Sequence, residues 1–269
     1  MPELPEIASR AAELQSALPG KVFTRFEILQ AKSLNVPVEQ FTSALTGAAI
    51  QKVYNRGKWI FMETDCGYLL LNLGMGGEIL LCTPETLPKK HRFVAYFSDG
   101  SALAINFWWF GYIHYVPEQD LSAHSLTADL GPNVLDVSEE QFFQKITGQR
   151  GRLKAWLLDQ KNLAGIGNAY IHDILFLARL HPLRTIASLT PQEISGLYQA
   201  VQRGLRPALE LHGAFYEQTI FGQPGGFTMD HILIGYKEGK PCPVCGTSIQ
   251  KIKTGSTASF ICPSCQKAE

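Results

Sequence analysis

The chain has 269 residues, of which 45% are hydrophobic and 18% are charged, and its 24 basic and 24 acidic side chains leave no net charge. This composition excludes a wholly disordered protein, and no run approaches the roughly 18 uncharged apolar residues of a membrane-spanning helix. The N-terminal residues lack the basic and apolar pattern of a secretory signal, so we expect a cytoplasmic protein.

Charge is unevenly distributed along the chain. Residues 1–140 have 10 basic and 16 acidic side chains, a net charge of −6, whereas residues 141–269 have 14 basic and 8 acidic ones, a net charge of +6. The second part could therefore present a basic surface to phosphate groups. A chance division at an arbitrary boundary is the alternative interpretation.

The first part of the chain has the pattern of one helix followed by strands. Residues 3–18 place apolar side chains at helical spacing, with Pro5 in the first turn, where proline is tolerated, and Pro19 at the end. From residue 22 to about residue 116, short apolar runs alternate with turn signals. This pattern predicts an antiparallel sandwich or barrel of short strands.

The remainder of the chain is mainly helical until its last residues. Apolar periodicity and helix-start residues predict helices at 138–146, 152–160, 169–180 and 190–211. A glycine-rich stretch at 213–231 indicates an irregular loop. We therefore predict an α+β multidomain protein with an N-terminal helix and antiparallel β-sandwich (1–125), a helical domain (126–231) and a C-terminal β-hairpin (232–269).

Six cysteines fall into two groups. Cys66 and Cys82 stand alone in apolar surroundings, as buried free thiols do. The other four form two CxxC pairs separated by sixteen residues: Cys242, Cys245, Cys262 and Cys265. Two such pairs can supply four thiolates to one structural Zn²⁺, and two strands around a turn at residues 254–256 would present them. Disulfides are the alternative, which a cytoplasmic location disfavours.

Three widely separated motifs occur together in the chain. They are MPELPE at residues 1–6, LDQKNLAGIGNAYIHDILFLARLHP at residues 158–182, and the four-cysteine hairpin. Together with LGPNVL at residues 130–135, they resemble the formamidopyrimidine-DNA glycosylase and endonuclease VIII family of base-excision repair enzymes, and the formamidopyrimidine branch more closely. The resemblance implies a helix-two-turns-helix unit in the helical domain, one structural zinc ion, and damaged double-stranded DNA as the partner of a monomeric bacterial, nucleoid-associated protein.

The resemblance also implies four catalytic residues. Removal of Met1 would expose the secondary amine of Pro2, which is partly neutral at pH 7 and can attack the sugar C1′. In the family, the residue at Glu3 is the acid/base at the sugar ring, and Glu6, one helical turn on, could support the amine or site waters. Lys58 aligns with a lysine that holds a phosphate and helps to move protons. The alternatives are an acidic first turn favoured by the helix dipole and a solvated strand lysine.

Three aromatic or apolar residues are candidates for filling the space left by an extruded nucleotide. Met75 lies between glycines, as expected for a protruding loop tip. Residues 106–111 read NFWWFG where the family has DPRRFG, so Phe110 is kept but Trp108 replaces the arginine that pairs with the orphaned base. An indole can stack, but it cannot offer two donors to a base edge. Core aromatics in a strand are the alternative.

Further candidate DNA contacts lie in the second part of the chain. Asn168 matches the family's phosphate clamp, although its Gly-x-Gly-Asn context also suits an ordinary helix–loop–helix turn. Nearby basic residues could add contacts: Arg150, Arg152 and Lys154. Thr257 stands where the family's hairpin carries a phosphate-binding arginine, and residues 211–229 do not match its lesion-capping loop.

The sequence therefore favours a DNA glycosylase with AP lyase activity that excises oxidised purine-like bases through a Pro2 Schiff base. The departures at Trp108 and Thr257 leave open a paralogue that binds damaged or structured DNA with little or no catalysis. A purely structural zinc protein is a third interpretation, and it predicts no salt-dependent binding of DNA.

Overall fold

The computed structural model describes residues 2–108, 110–255 and 257–267. The chain forms two compact units, one made of residues 1–129 and 211–226 and the other of residues 130–210 and 227–269. None of the helices within the described ranges combines the length and apolar character that a bilayer crossing needs.

The described residues of the first unit form two α-helices and eight strands, besides short 3-10 turns: α1 (Leu4–Ala17), β1 (Phe23–Ile28), α2 (Val38–Leu45), β2 (Ile50–Arg56), β3 (Trp59–Thr64), β4 (Gly67–Asn72), β5 (Glu78–Cys82), β6 (Phe93–Phe97), β7 (Ala102–Asn106) and β8 (Tyr112–Val116). The strands form two antiparallel sheets, in the orders β1-β6-β7-β5 and β2-β3-β4-β8. Alternate side chains of both sheets meet in one apolar core, to which β3 contributes Ile60 and Met62 and β7 contributes Leu103 and Ile105.

Helix α1 covers one side of this core. Its apolar side chains at Ile7, Ala11 and Leu14 are buried in the same cluster as the sheet residues. The helix ends just before Pro19, which cannot continue it. The Gly20 N–H then donates to Ile50 O, at the beginning of β2, at 2.7 Å. Helix α1 therefore occupies the position that the sequence pattern predicted.

Where the structure describes the second unit, it has four α-helices and a two-stranded sheet, besides one short 3-10 turn: α3 (Glu139–Ile146), α4 (Leu153–Leu158), α5 (Ile171–Leu177), α6 (Pro191–Glu210), β9 (Gln250–Thr254) and β10 (Thr257–Ile261). Helix α3 begins at Ser138, whose hydroxyl accepts the Gln141 N–H at 3.2 Å. The Asp173 carboxylate on α5 accepts three backbone N–H groups of residues 233–235 at 2.7–2.9 Å. This contact fixes the polypeptide that leads into the cysteine hairpin.

Candidate functional site

The beginning of α1 buries two of the predicted catalytic carboxylates, and each accepts the backbone N–H of the other residue. Pro2 is buried, and Glu3 and Glu6 are each 3% exposed. Glu6 Oε2 accepts the Glu3 N–H at 2.8 Å, and Glu6 Oε1 accepts the Ala214 N–H at 3.1 Å. Glu6 therefore fixes the start of the helix and the distant residue 214, and Met1 lies outside the described residues.

Helix α1 also holds the rest of the segment 211–226 through backbone atoms. The Arg10 guanidinium donates to His212 O at 3.3 Å, and Glu13 Oε2 accepts the Ile220 N–H at 2.9 Å. Gly213 is required at its position because its φ is +89° and a Cβ there would lie 2.8 Å from Glu6 Cγ. The segment that the sequence indicated as an irregular loop is therefore anchored to the helix that contains Glu3.

Glu217, in the segment 211–226, lies near Glu6 and Arg10 of α1. It was not identified from the sequence as a functional residue. Its side chain is 8% exposed. Burial, and after it the negative charge of Glu6, raises the pKa of Glu217 to about 7. The sequence signal was weak, because a single acidic residue after Phe215-Tyr216 gave no reason to expect burial beside α1.

Replacing Glu217 with glutamine is expected to flatten the pH dependence of stability. The folded-state pKa of about 7 lies above the ordinary value of 4.5, so the unfolded chain releases this proton first as pH rises. The wild-type free energy of unfolding therefore falls between about pH 4.5 and pH 7, by about 3 kcal/mol from this group. Above pH 7 the variant is expected to melt higher than wild type, and at pH 4 the two should coincide. Parallel melting curves from pH 4 to 8 would contradict this.

Lys58 lies in the tight turn between β2 and β3, at one end of the sandwich. Gly57 has a φ of +57°, and the Lys58 carbonyl accepts the Asn72 side-chain amide at 3.1 Å. The end of α1 meets the beginning of β2, where the Gly20 N–H donates to Ile50 O at 2.7 Å and the Gln15 side chain accepts the Val53 N–H.

Two neighbouring loops at one end of the sandwich expose the predicted intercalating residues. Met75 is 47% exposed, and Trp108 and Phe110 are each 68% exposed. The Trp108 N–H donates to Met75 O at 3.0 Å, and the indole packs so closely on Gly76 that a Cβ there would lie 3.1 Å from it. Trp108 is therefore no core aromatic, and Trp109 lies outside the described residues.

The four cysteines of the hairpin converge on one point. Their sulfur atoms all lie within 4.8 Å of one another, with Cys242–Cys265 at 3.9 Å and Cys245–Cys262 at 3.4 Å. A tetrahedral Zn²⁺ with Zn–S bonds of about 2.3 Å separates its sulfurs by about 3.8 Å. The donor set and its spacing therefore fit a single structural zinc ion.

Lys154 reaches from α4 into the tip of this hairpin. Its side chain is 3% exposed, and Nζ donates to Thr257 Oγ1 at 3.0 Å, Ala258 O at 2.8 Å and Ser259 Oγ at 2.9 Å. Burial lowers the pKa of Lys154 to about 8. The ammonium group is thus used to order the turn around Thr257, where the resemblance led us to expect an arginine.

The other predicted phosphate contacts lie in the same unit as Lys154. Arg150 and Arg152 are exposed, and the Arg152 guanidinium also donates to the Leu183 carbonyl. Asn168 lies between α4 and α5, and its Oδ1 is buried with no hydrogen-bond partner among the residues that the structure describes. Its main-chain carbonyl accepts the Tyr236 hydroxyl at 3.2 Å.

Family models match three parts of the chain. Residues 1–106 match the formamidopyrimidine-DNA glycosylase N-terminal domain, residues 130–219 match the formamidopyrimidine-DNA glycosylase H2TH domain, and residues 239–268 match a zinc finger found in FPG and IleRS. The fold and the site thus define a protein with an N-terminal glycosylase domain, an H2TH domain and a zinc finger. The predicted α+β architecture and the predicted zinc site are confirmed.

Whole-chain comparisons give the same assignment. The formamidopyrimidine-DNA glycosylase of Pelotomaculum thermopropionicum is 35% identical over 100% of both chains, and that of Chloroflexus aurantiacus is 32% identical over 99% of this chain and 98% of the relative. The complex of Lactococcus lactis Fpg with abasic-site DNA aligns with a TM-score of 0.89 and 28% identity, covering 99% of this chain and 100% of that chain. The chain belongs to the formamidopyrimidine-DNA glycosylase family.

Proposed function

We propose that this protein is a base-excision repair DNA glycosylase with AP lyase activity, which removes oxidised purine-like bases from duplex DNA. The observation that supports this most strongly is the full-length relationship to formamidopyrimidine-DNA glycosylases together with an intact Pro2-Glu3 start of α1. The solved complexes of Lactococcus lactis Fpg contain abasic-site DNA or N7-benzyl-Fapy-dG DNA, which are substrates of the class we assign.

Pro2 is the proposed nucleophile. After removal of Met1, its nitrogen attacks the sugar C1′, and the bond from C1′ to the damaged base breaks as the base leaves with a proton. The secondary amine then forms a cationic iminium with the opened sugar, which accepts electrons when C2′ loses a proton and the C3′–O bond breaks. Glu3 lies beside this nitrogen and is assigned the proton transfers at the sugar ring.

Lys58 and Glu6 have supporting roles in this proposal. A lysine in a tight turn at the end of β2 can hold the phosphate next to the lesion and take part in proton transfer during elimination. Glu6 keeps Glu3 in place through the 2.8 Å bond from the Glu3 N–H. Because the Glu6 carboxylate also holds residue 214, we treat it as a positioning residue.

The remaining predicted residues are assigned to DNA binding. Met75, Trp108 and Phe110 are exposed on adjoining loops, as groups that fill a gap in a base stack must be. Asn168, Arg150 and Arg152 are assigned to phosphates. Lys154 is buried, so it is assigned to DNA binding through the hairpin that it orders, with Thr257 at the hairpin tip.

Borohydride trapping on abasic-site DNA tests the proposed function. A Schiff base reduced by borohydride becomes a permanent bond, so wild-type protein is expected to give a covalent adduct whose DNA maps to the peptide that begins at Pro2. Intact-mass measurement of the purified chain shows whether Met1 has been removed. Failure to trap with protein that has lost Met1, under conditions where the duplex is bound, would refute the lyase assignment.

The second candidate is a paralogue that recognises damaged or structured DNA without efficient base excision. The replacement of two expected arginines by Trp108 and Thr257 favours it, because neither side chain can make a guanidinium's paired hydrogen bonds. Salt-dependent binding of abasic-site duplex without trapping or base release would support this candidate over the enzyme.

We also infer that the protein acts as a monomer in the bacterial cytoplasm, on nucleoid DNA. The relatives are bacterial DNA glycosylases. A duplex with a single lesion needs only one catalytic N-terminus, so a single chain is sufficient for the proposed reaction. A mass close to 29.8 kDa by light scattering would agree with a monomer.

A further inference from the structure

One end of the sheet β1-β6-β7-β5 carries a row of side chains that no step of the proposed reaction uses. Phe93 and Ile105 face the core, so their neighbours Arg92 and Asn106 face outward. Neighbouring strands extend this row in both directions. On one side the Leu29 N–H donates to Arg92 O at 2.9 Å, and on the other side Glu78 of β5 pairs with Asn106 of β7.

This row borders a cavity of about 580 Å³, a size typical of pockets for small ligands, which span about 300–1,000 Å³. We call it the Asn106 cavity. Six of the side chains that line it matter for its chemistry: Leu29, Lys89, Lys90, Arg92, Asn106 and Trp108. His91 also lines it, but its ring nitrogens contact Glu27 at 3.3 Å and Pro88 O at 2.9 Å.

The lining combines three features that suit a nucleotide. Trp108 offers a flat, exposed aromatic face, held by its bond to Met75 and its packing on Gly76. Asn106 is 9% exposed, and its side-chain amide makes no hydrogen bond within the part of the chain that the structure describes. An amide can bond the edge of a base with one donor and one acceptor, and an aromatic ring can stack on its face.

Charge around the cavity is arranged to favour a phosphate on one side. Lys89, Lys90 and Arg92 are exposed on the loop that leads into β6. The acidic neighbours are Glu78, at the far side of Asn106 in the row, and Glu27, which is engaged with His91. A base against Asn106 would therefore place its phosphate toward the two lysines.

We propose that the Asn106 cavity receives the base that faces the lesion on the opposite DNA strand, stacked on Trp108 and bonded by the Asn106 amide. This inference rests on the proposed function, in which Met75, Trp108 and Phe110 fill the gap in the base stack. The base next to Trp108 is then the one that has lost its partner. Trp108 cannot offer that base a pair of hydrogen bonds in the stack, whereas Asn106 in the adjoining cavity has both a donor and an acceptor.

The affinity of the protein for five DNA duplexes tests whether the Asn106 cavity binds the base opposite the lesion. Each contains a tetrahydrofuran abasic analogue opposite adenine, cytosine, guanine, thymine or a second analogue without a base. Wild-type protein is expected to bind at least one base-bearing duplex about tenfold more tightly than the duplex without a base, as one pair of hydrogen bonds and a stack would provide. Asn106→Ala is expected to lose most of this difference while binding the duplex without a base as wild type does.

A matched control removes an amide elsewhere in the same unit. Gln51 is exposed near the beginning of β2, away from Lys58, so Gln51→Ala is expected to keep the full base-dependent difference. Melting temperatures of both variants show whether the fold is intact. A second variant, Lys89→Gln with Lys90→Gln, is expected to weaken binding of every duplex and to reduce its salt dependence.

Photocrosslinking locates the base directly. With 5-iodouracil opposite the analogue, the adduct is expected at Leu29, which lines the cavity, and Asn106→Ala should lower its yield. An adduct confined to Met75, Trp108 or Phe110 would mean that the base stays in the stack, which overturns the proposal. A free mononucleotide that binds wild type but not Asn106→Ala, with no base dependence in the duplexes, would assign the cavity to another ligand and also overturn it.

The outcome for the cavity can be separated from that for the enzyme. On an abasic-site duplex that has a tetrahydrofuran analogue, and so no base, opposite the lesion, Asn106→Ala is expected to form the borohydride adduct at Pro2 as wild type does, because the amide then has no base to bond. Wild-type trapping without any base-dependent difference refutes only the cavity. Absence of trapping in wild type refutes the proposed lyase, and the duplex comparison then still reports whether the cavity reads a base.

Discussion

Replacing Pro2 with glycine is expected to slow strand cleavage at an abasic site by about 100-fold, because the imine of a primary amine must gain a proton that the proline iminium does not need. Binding of a duplex with the uncleavable tetrahydrofuran analogue should change little, since Pro2 makes no proposed contact with phosphate. Single-turnover cleavage and fluorescence anisotropy measure the two quantities separately.

A chain with two extra residues before Pro2 is the stricter form of this experiment. Its Pro2 nitrogen is an amide, so it should give no borohydride adduct at Pro2 while it still binds the analogue duplex. If the extended chain cleaves and is trapped as wild type is, the nucleophile lies elsewhere and the assignment of Pro2 is wrong.

Removing the zinc ion is expected to unfold the cysteine hairpin. The apolar cluster around the cysteines is small, with Phe176, Ile234, Ile249 and Phe260 as its buried members besides cysteine, whereas structural zinc contributes about 10–16 kcal/mol to the folding of comparable small modules. Cys262 is fully buried, so Cys262→Ala or a strong chelator should abolish metal binding, expose β9 and β10 to protease and release Lys154 from its hairpin acceptors. Zinc content by mass spectrometry and limited proteolysis report the two effects.

Cys66→Ser provides the matched control for the zinc experiment. Cys66 lies in the first unit, where it is exposed and not buried as its apolar surroundings predicted, and its thiol contacts Thr64 and the Ala44 carbonyl, far along the chain from the hairpin. The variant should retain one zinc ion per chain and a protected hairpin. Equal zinc loss in both variants would show that the cysteine cluster is not the metal site.

Local signals in the sequence were sufficient for much of the fold. Pro5, Pro19 and the apolar spacing predicted a helix at 3–18, and the structure has it at Leu4–Ala17. The CxxC spacing predicted the metal hairpin. Helix α2 was not predicted, because its two turns after Pro37 offer too short a pattern to distinguish from a loop.

The site could be predicted only in part, because its geometry depends on contacts between distant residues. Nothing near Lys154 in the sequence indicates that its ammonium lies among hairpin oxygens about a hundred positions later. The direction of the Asn106 amide likewise depends on strand register. The catalytic roles of Pro2 and Glu3 came from the family resemblance, and these roles and the three domain boundaries stay predictions.

The hold of α1 on residues 211–226 has an evolutionary consequence. Glu6, Arg10 and Glu13 contact peptide N–H and C=O groups of that segment, and the His212 side chain also contacts Ser9 and Glu13. Substitutions at residues of the segment that are held through their backbone alone can therefore accumulate without loosening the tether, provided that Gly213 is kept. Relatives could diversify the surface beside Glu3 while inheriting the same scaffold, which explains how Phe215 and Tyr216 can be accommodated next to an unaltered first helix.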